Sequence, residues 1–314
     1  KNPTLAEICT SGDNLASCIA EFNTLVGDGA EGLYYHDGTG SYANADQEAG
    51  DNSYRYAGAN PNNYVCFGSD AATCPTENLF RIIGIFGNQI KLIKHEYANS
   101  NWLGNDNGYN HSSYTRNHPS SSYYKGSIDQ SMVPVYYWTK SGNNNWNHSV
   151  LNTGNLNQTY LNAIGEKWSN LIATTNWQVG GNTVANIKSG SVKTVFTNEI
   201  VSPTSSITYS GKIGLMYISD YGYAATPENW NTTMETLNTN ANRNNNWMFM
   251  GLWEWTITRT SDNTNSAFAL LYLGNIDSYN IDNSFYAIRP CFYLNSNVTM
   301  TSGTGTQADP YRIS

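Results

Sequence analysis

Cysteine is the residue type whose spacing most clearly suggests chemistry in this chain. Four of the five cysteines form two close pairs, Cys9 with Cys18 in "ICTSGDNLASCIA" and Cys66 with Cys74 in "VCFGSDAATCP". Pairs at this spacing in a chain of secreted character predict disulfides that close small loops, with buried free thiols as the alternative. Neither pair has the two-residue spacing of a zinc knuckle or a histidine nearby, so a zinc site is not predicted. Cys291 is left over.

The five histidines are scattered and form no Ser/His/Asp or Cys/His arrangement. His111 and His118 lie in "NHSSYTRNHPS" without a carboxylate at metal-binding spacing, and we expect both to be solvated in a loop. The stretch "GNDNGYN" at 104–110 offers one aspartate among amides, fewer acidic ligands than a strong calcium loop needs. We therefore predict no catalytic residue, no metal and no cofactor.

Two charged residues near the C-terminal end could act on a ligand. Glu254 lies between Trp253 and Trp255 and could be a catalytic carboxylate, but a buried or edge carboxylate that accepts backbone hydrogen bonds is the favoured interpretation. Arg289 precedes Pro290 and could bind an anionic ligand. An ion pair or a backbone contact that holds a strand is favoured instead.

The composition limits the classes of function. Of the 314 residues, 39% are hydrophobic and only 13% are charged, while asparagine makes up roughly one residue in seven. This apolar content can build a core, so general disorder is not expected. The net charge of −8 and the pI near 5.0 argue against nucleic acid, whose phosphates need a basic surface. No run approaches the roughly 20 apolar residues of a membrane-spanning helix.

The elements that must position these residues fall into two regions. Residues 1–53 begin with helical spacing in "TLAEI" and "LASCIAEFNTLV", followed by an irregular Gly-, Ala- and Asp-rich loop. From residue 54 onward, "NLFRIIGIFGNQIKLIK" predicts a hairpin whose turn lies between Phe86 and Ile90. We predict a short N-terminal helical segment at 1–53 and one α+β domain with loop-rich insertions at 54–314.

Two further patterns place elements inside the second region. Apolar residues in "LNQTYLNAIGEKWSNLIA" (156–173) recur on one face, which predicts an amphipathic helix. The segment "KIGLMYISDYGYA" predicts a strand that ends in a turn, and strands are expected from there to the C-terminus apart from a short helix or turn in "PENWNTTMETLN".

The second region carries a resemblance to a known family. The segments "YRYAGANPNNYVCF", "GKIGLMYISDYGYA", "NWMFMGLWEWTI", "YAIRPCFYLNSNV" and "SGTGTQADPYRI" resemble, in this order, surface proteins of gut-dwelling Gram-positive bacteria and their relatives that end in a C-type-lectin-like domain. That domain is similar to the fold of the formylglycine-generating enzymes. The resemblance covers roughly residues 54–314. The triplets Glu-Pro-Asn and Trp-Asn-Asp of lectin-type calcium sites are missing, so calcium-dependent sugar binding is not supported.

Some members of this fold group are variable proteins of diversity-generating retroelements, in which bases opposite template adenines are randomised. Randomising both adenines of an AAC or AAT codon cannot produce Gln, Glu, Lys, Met or Trp. From Thr256 to Thr299 none of these five types occurs, although together they make up roughly one residue in eight of the chain. Asn and its single-change products fill positions 263–286. The resemblance therefore implies a binding face whose residue identities are free.

The polar and aromatic stretch before Arg289 has the composition of an antibody paratope, in which Tyr and Phe supply contact area and Ser, Asn and Gly adapt their hydrogen bonds. An ordinary solvated hairpin is the alternative. The residues predicted to bind ligand are Trp253, Asn263, Asn265, Phe268, Leu270, Tyr272, Asn275, Asp277, Tyr279, Asn280, Asn283, Phe285 and Tyr286. The residues predicted to support this face are Trp247, Trp255, Glu254 and Arg289.

We expect a non-enzymatic receptor or adhesin that binds an unknown protein or glycan at a diversified face, outside the cell or displayed on a cell, a pilus or a phage particle. One alternative is a structural pilus or surface subunit. The other is an oxidase like the formylglycine-generating enzymes, which needs two cysteines close together, whereas only Cys291 falls in that region. Because the chain begins at Lys1, we expect a trimmed or processed product, and a membrane tether could precede it.

Overall fold

A computed structural model describes residues 2–105, 110–140 and 142–314. The α-helices are α1 Leu5–Ile8, α2 Leu15–Val26, α3 Ser100–Leu103, α4 Tyr114–Asn117, α5 Leu161–Ile164, α6 Glu166–Ser169, α7 Val184–Ser189, α8 Val192–Phe196, α9 Ile218–Tyr223 and α10 Asn240–Asn244. Short 3₁₀ turns lie at Ala30–Gly32, Ala45–Gln47, Thr76–Asn78, Gln130–Met132, Trp146–His148, Pro227–Asn229 and Met234–Thr236, and π-helical turns at Leu151–Tyr160 and Thr197–Val201.

The strands are β1 Leu33–His36, β2 Ser53–Tyr56, β3 Tyr64–Cys66, β4 Leu79–Phe86, β5 Gln89–Lys94, β6 Asn110–Ser113, β7 Pro134–Tyr136, β8 Thr175–Val179, β9 Ile207–Gly211, β10 Ile213–Gly214, β11 Glu254–Arg259, β12 Ser266–Leu270, β13 Ile276–Asn280, β14 Cys291–Tyr293, β15 Met300–Ser302 and β16 Arg312–Ile313. Every pairing between these named strands is antiparallel. The protein is a mixed α/β fold with several antiparallel sheets and short helices.

The largest sheet has seven strands in the order β1-β2-β4-β5-β14-β10, with β3 paired to β4. Its central hairpin β4–β5 confirms the predicted turn, since Phe86 pairs with Gln89 and Gly87 takes a φ of 63°. Asn88, the second residue of this two-residue loop, does not have a positive φ, so the turn matches type II′, whose first central residue is glycine because it adopts a positive φ without steric cost. The β4 and β5 side chains are almost all buried, so this hairpin lies at the centre of the core.

Helix α2 confirms the N-terminal helical prediction. The Asn14 side chain caps its first turn by accepting a hydrogen bond from Ser17 N at 2.9 Å, and Gly27 follows the last turn. Leu15, Ile19 and Phe22 are buried from the face that meets the core. The predicted disulfides Cys9–Cys18 and Cys66–Cys74 are formed.

The expected division at residues 53 and 54 needs correction, because the N-terminal region is part of the same core. Strand β1 pairs with β2 along four residues, from Leu33 opposite Tyr56 to His36 opposite Ser53. The start of α2 also bonds to the C-terminal region through Leu15 N and Val298 O at 3.2 Å. Strand β1 is thus an edge strand of the main sheet, and the N-terminal helices pack on the same core.

Two further sequence expectations differ from the structure. The segment 156–173 is not one helix, since a π-helical stretch runs into α5 and Gly165, at φ 80°, ends it before α6. The segment predicted as a strand ending in a turn contains only β10, after which α9 begins at Ile218. The carboxylate of Glu199 accepts from the first two N–H groups of α9, at 3.1 and 3.0 Å.

The residues predicted to bind ligand lie on the small sheet β11-β12-β13 and in the segments that flank its strands. Buried indoles attach it to the strand β7 and the residues that follow it. Trp255 Nε1 donates to Tyr136 O at 2.9 Å, and Trp138 Nε1 donates to Thr256 O at 3.0 Å. Each indole therefore buries its ring and still satisfies its one donor. In the described part of the chain, no helix combines the length and apolar character needed to cross a membrane.

Candidate ligand-binding face

The register of β12 and β13 sorts their side chains onto two faces. Asp277 lies opposite Ala269, and Tyr279 lies opposite Ala267. Directly opposed residues share a face, so the acid and the phenol stand over two small alanines that leave room for rings. On the other face of β12, the side chains of Phe268 and Leu270 are buried in the core. The half-buried side of β13 is therefore the side available to a ligand.

An aromatic cluster surrounds Trp253 at one end of this sheet. The indole lies parallel to the Tyr272 ring, with an angle of 9° and centroids 6.2 Å apart, and its centroid is 5.0 Å from those of Tyr279 and Tyr286. Trp253, Tyr272 and Tyr279 are half-buried, whereas Tyr286 is only 2% exposed and packs on Trp255 at 4.5 Å. The cluster thus has three partly exposed rings that a ligand can contact and one buried ring, Tyr286, that packs on Trp255.

His118 belongs to this cluster, which corrects the expectation of a solvated loop residue. Its imidazole stacks on Trp253 at 24° with centroids 5.2 Å apart, and Nε2 lies 2.7 Å from Phe285 O. The carbonyl can only accept, so Nε2 carries the proton that it donates. Burial lowers the pKa of His118, and the bond to the Phe285 carbonyl partly offsets this. The side chain of His111 and most of the "GNDNGYN" stretch lie outside the described residues.

The asparagines of the predicted site lie mainly at the other end of the sheet. Asn263, Asn265, Asn280 and Asn283 are exposed in the loops before β12 and after β13. A five-residue strand separates the two ends by roughly 14 Å at ~3.4 Å per residue. The predicted site is therefore an elongated face with an aromatic end at Trp253 and an amide end at these loops.

Three residues of the predicted face must be corrected to core residues. Phe268 and Leu270 are 0% exposed and Tyr286 is 2% exposed, so their side chains cannot make the main contact with a ligand. The central strand β12 is covered on both faces, which buries all of its large side chains. Asn275, in the turn between β12 and β13, is half-buried.

The loop before β12 is held by its backbone. Asn144, 1% exposed, places Nδ2 within hydrogen-bond distance of three carbonyl oxygens, of Thr260 at 3.1 Å, Asn263 at 2.8 Å and Ser266 at 2.8 Å. Its own backbone N–H donates to Thr264 O at 2.6 Å. All these acceptors are main-chain atoms, so the contacts do not depend on which side chains the loop carries.

The turn between β12 and β13 is held in the same way. Arg243 Nη1 donates to Leu273 O at 2.8 Å, and Tyr221 Oη donates to Gly274 O at 2.8 Å. Gly274 adopts a φ of 99°, and a Cβ there would lie 2.9 Å from the Leu237 carbonyl, so this turn position requires glycine. Glycine is therefore required at position 274, and the scaffold holds the turn through the main-chain carbonyls of residues 273 and 274.

The segment after β13 also bonds through its main chain. Tyr136 and Tyr286 exchange both backbone hydrogen bonds at 3.0 Å, and Thr139 N donates to Ile281 O at 3.2 Å. Together with the bond from His118 to Phe285 O, these contacts come from the 110–140 region. Sequence reasoning missed His118, Asn144, Tyr221 and Arg243. Each of them bonds to the face from at least 30 positions away in the sequence, and no local pattern reveals such a contact.

The residues predicted as support lie beneath the face. Trp247 is 4% exposed and its Nε1 donates to Tyr56 O at 2.7 Å. The carboxylate of Glu254 pairs with Arg289 instead of with backbone donors, and both side chains are buried. Neither residue is free to act on a ligand.

Among the described residues, Cys9, Asp13 and Cys18 are the group with metal-compatible spacing, and both sulfurs are committed to the disulfide. What the face offers chemically is ring surface, amides and three carboxylates, of which Asp262 and Asp282 lie in the loops at the amide end and Asp277 lies on β13. The proximity of Asp277 adds to burial in raising the pKa of the Tyr279 phenol.

The candidate face is inferred from the geometry of the structure alone. No protein-family model, no curated protein and no solved structure matches the chain.

Proposed function

We propose that this chain is a non-enzymatic ligand-binding protein of the receptor or adhesin type, with a C-type-lectin-like domain and a binding face that is diversified at residues 260–286 and bordered by the fixed Trp253. It acts outside the cell or on a displayed surface. The two disulfides support this compartment, because such bonds persist in oxidising environments.

One observation carries the proposal: the scaffold holds residues 260–286 through their main-chain atoms. Asn144, Arg243 and Tyr221 all donate to carbonyl oxygens of this segment. A frame of this kind keeps the loops in place whatever side chains they carry. Ordered loops also lose less free energy on binding, by about 0.5–1.5 kcal/mol per side chain that would otherwise be immobilised.

The exposed positions of the face support diversification. They carry only residue types that a doubly randomised AAC or AAT codon can encode, and they surround buried positions such as Phe268. The half-buried or exposed residues of 260–286 are Ser261, Asp262, Asn263, Thr264, Asn265, Ser266, Tyr272, Leu273, Asn275, Asp277, Ser278, Tyr279, Asn280, Asp282, Asn283, Ser284 and Phe285.

The thiols favour binding over oxidase chemistry. Cys66 and Cys74 are joined to each other, so neither supplies a second thiol for Cys291. Cys291 is fully buried in β14, and burial raises the pKa of its thiol to about 12. A thiolate nucleophile needs a lowered pKa and access to its substrate, and Cys291 has neither.

Two measurements test the proposal. The first is deep sequencing of the locus in a mixed population. We expect substitutions to concentrate at the exposed positions of 260–286, at AAC or AAT codons of a nearby template copy, and to spare Asn144, Gly274 and Arg289. Sparse and evenly spread variation would exclude diversification.

The second measurement is a display library in which only the seventeen half-buried or exposed positions above are randomised. We expect most members to stay folded and some to bind protein or glycan baits that the parent does not bind. Reverting the randomised residues at the aromatic end should abolish this binding. Binding that survives the reversion would place the site elsewhere.

A further inference from the structure

The aromatic end of the face carries one charge that no basic side chain neutralises within the described part of the chain. Asp277 Oδ1 accepts only from Ser278 N, at 2.7 Å, and no ion pair involves this carboxylate. Asp277 and Tyr279 lie two residues apart on β13, so both side chains leave the same face. The charge of Asp277 adds to burial in raising the pKa of Tyr279 and of Tyr286, so both rings lie near this carboxylate, and the Trp253 centroid is 5.0 Å from each of them.

Ring faces carry negative electrostatic potential, so a cation within about 6 Å of a ring centroid is attracted, most strongly by Trp. A carboxylate beside the rings adds an ion pair to the same cation. A guanidinium uses both, because it stacks flat on a ring and donates two parallel hydrogen bonds to a carboxylate. A neutral ligand of the same shape would gain neither the attraction to the rings nor the ion pair with the carboxylate.

The other charged or titratable groups of the cluster do not oppose a cation there. Arg243 lies over Tyr123, and its guanidinium is committed to hydrogen bonds with Leu273 O and Asn238 O. His118 is neutral near pH 7, because burial lowers its pKa from 6.5.

We infer that the aromatic end recognises a cationic side chain, an arginine or lysine presented by a protein ligand, held on Trp253 and Tyr279 beside Asp277. This inference rests on the proposed function and names the class of ligand.

A matched pair of peptides tests it. Acetyl-Gly-Arg-Gly-amide carries the guanidinium, and acetyl-Gly-citrulline-Gly-amide replaces it by a neutral urea of the same shape. Both are titrated into protein with ¹⁵N-labelled tryptophan, and the Trp253 indole signal is assigned from its loss in Trp253→Phe. We expect the arginine peptide to shift this signal in a saturable way and the citrulline peptide to bind at least about fivefold more weakly, the ratio of about 1 kcal/mol for a partly exposed cation–π contact.

Two variants separate the carboxylate from general charge effects. Asp277→Asn should weaken the arginine peptide by about fivefold, because it removes the ion pair and keeps the size of the side chain. Asp37→Asn, in an exposed loop outside the face, should leave the affinity unchanged.

Each other outcome overturns the inference. Equal binding of both peptides means that shape and not charge is recognised. Binding of N-acetylglucosamine with no binding of the arginine peptide means a glycan face. If no probe binds, the cation is excluded while the display library still decides whether 253–286 binds ligands at all, so the failure of the ligand class and the failure of the function are distinguishable.

Discussion

Arg289 lies on Glu254 in a two-point ion pair, with Nε 2.7 Å from Oε1 and Nη2 2.9 Å from Oε2, and both side chains are 1% exposed. Glu254 is the first residue of β11 in the small sheet, and Arg289 lies two residues before β14 in the main sheet. The same guanidinium donates to Met248 O at 2.7 Å. The pair therefore joins the sheet that carries the candidate face to the sheet at the centre of the core.

Removing the cation of this pair should destabilise the protein strongly. Arg289→Met leaves the Glu254 carboxylate buried without its partner, which costs about 3–5 kcal/mol. Urea unfolding followed by tryptophan fluorescence measures the loss. Lys188→Met is the matched control, because its contact to Glu235 is exposed and a surface pair of this kind contributes less than about 1 kcal/mol. Equal costs for the two variants would mean that the buried pair does not join the sheets.

Asn144 should control the order of the loop before β12. Asn144→Ala removes one donor from three carbonyl groups, of which Asn263 O and Ser266 O keep the Thr260 hydroxyl as a second donor. We expect a loss of about 1–3 kcal/mol, the cost of leaving the buried Thr260 carbonyl unsatisfied. Hydrogen exchange should accelerate at the Thr260 amide, which bonds to Ser266 O at 3.1 Å. Asn147→Ala, at an exposed position of the same segment, should change neither quantity. Unchanged exchange at Thr260 in Asn144→Ala would contradict the backbone frame.

Stability should fall in mild acid because of His36. This side chain is buried, its Nδ1 accepts from Ala49 N at 3.0 Å, and its Nε2 has no partner among the described residues. Burial, with the charge of Arg55, holds the pKa of His36 well below 6.5. The unfolded chain therefore binds a proton below about pH 6.5 that the folded chain does not, and the free energy of unfolding decreases as the pH falls.

The size of this effect is up to about 1.4 kcal/mol per pH unit from one histidine. Urea unfolding at pH 7.0, 6.0 and 5.0 measures it, and His36→Gln should flatten the slope by up to that amount. His95, whose pKa burial lowers to about 3, adds a second contribution of the same sign, which remains in the variant. A slope that His36→Gln leaves unchanged would mean that His36 is protonated in the folded protein.

The parts of the fold that were predicted from the sequence are those that local residues determine. Helix α2 has apolar residues at helical spacing and its own N-cap, and the β4–β5 hairpin has glycine in its turn. Helix α9 was mistaken for a strand because "LMYISDYGY" is rich in β-branched and aromatic residues. Its first N–H groups bond to Glu199, about twenty residues away, and no local pattern reveals that contact.

In the candidate face, too, the residues that local composition indicates were predicted, and those that depend on distant contacts were not. Its aromatic and amide composition pointed to Trp253, Tyr272 and Tyr279, which lie together. The same composition also placed Phe268 and Leu270 on the face, whereas both are buried because β12 is the central strand of its sheet and is covered on both sides. His118 reaches Trp253 across 135 positions of sequence, so its role depends on the fold.

Thiol counting should distinguish the two disulfides from free cysteines. Without reductant, a thiol reagent should find no reactive group in the folded protein, because Cys291 is fully buried, and one group after denaturation. Five groups should react after reduction, the full cysteine content of the chain. The double variant Cys66→Ser with Cys74→Ser should lose about 2.5 kcal/mol, the loop-closure value for so short a loop. Three or five reactive thiols before reduction would mean that at least one bond does not form.

Phe268 and Tyr272 provide the sharpest contrast between fixed and free positions of the face. Both are aromatic and lie four residues apart, yet Phe268 is 0% exposed in β12 and Tyr272 is half-buried at the turn that follows. Phe268→Ala should cost about 3–5 kcal/mol, since it opens a cavity in the core. Tyr272→Ala should cost about 1 kcal/mol or less in stability. In binding the order should reverse: Tyr272→Ala should weaken a library-selected ligand that contacts the aromatic end. If Tyr272→Ala instead destabilises the fold as much as Phe268→Ala, the ring is core, its identity is not free, and a diversified face cannot include it.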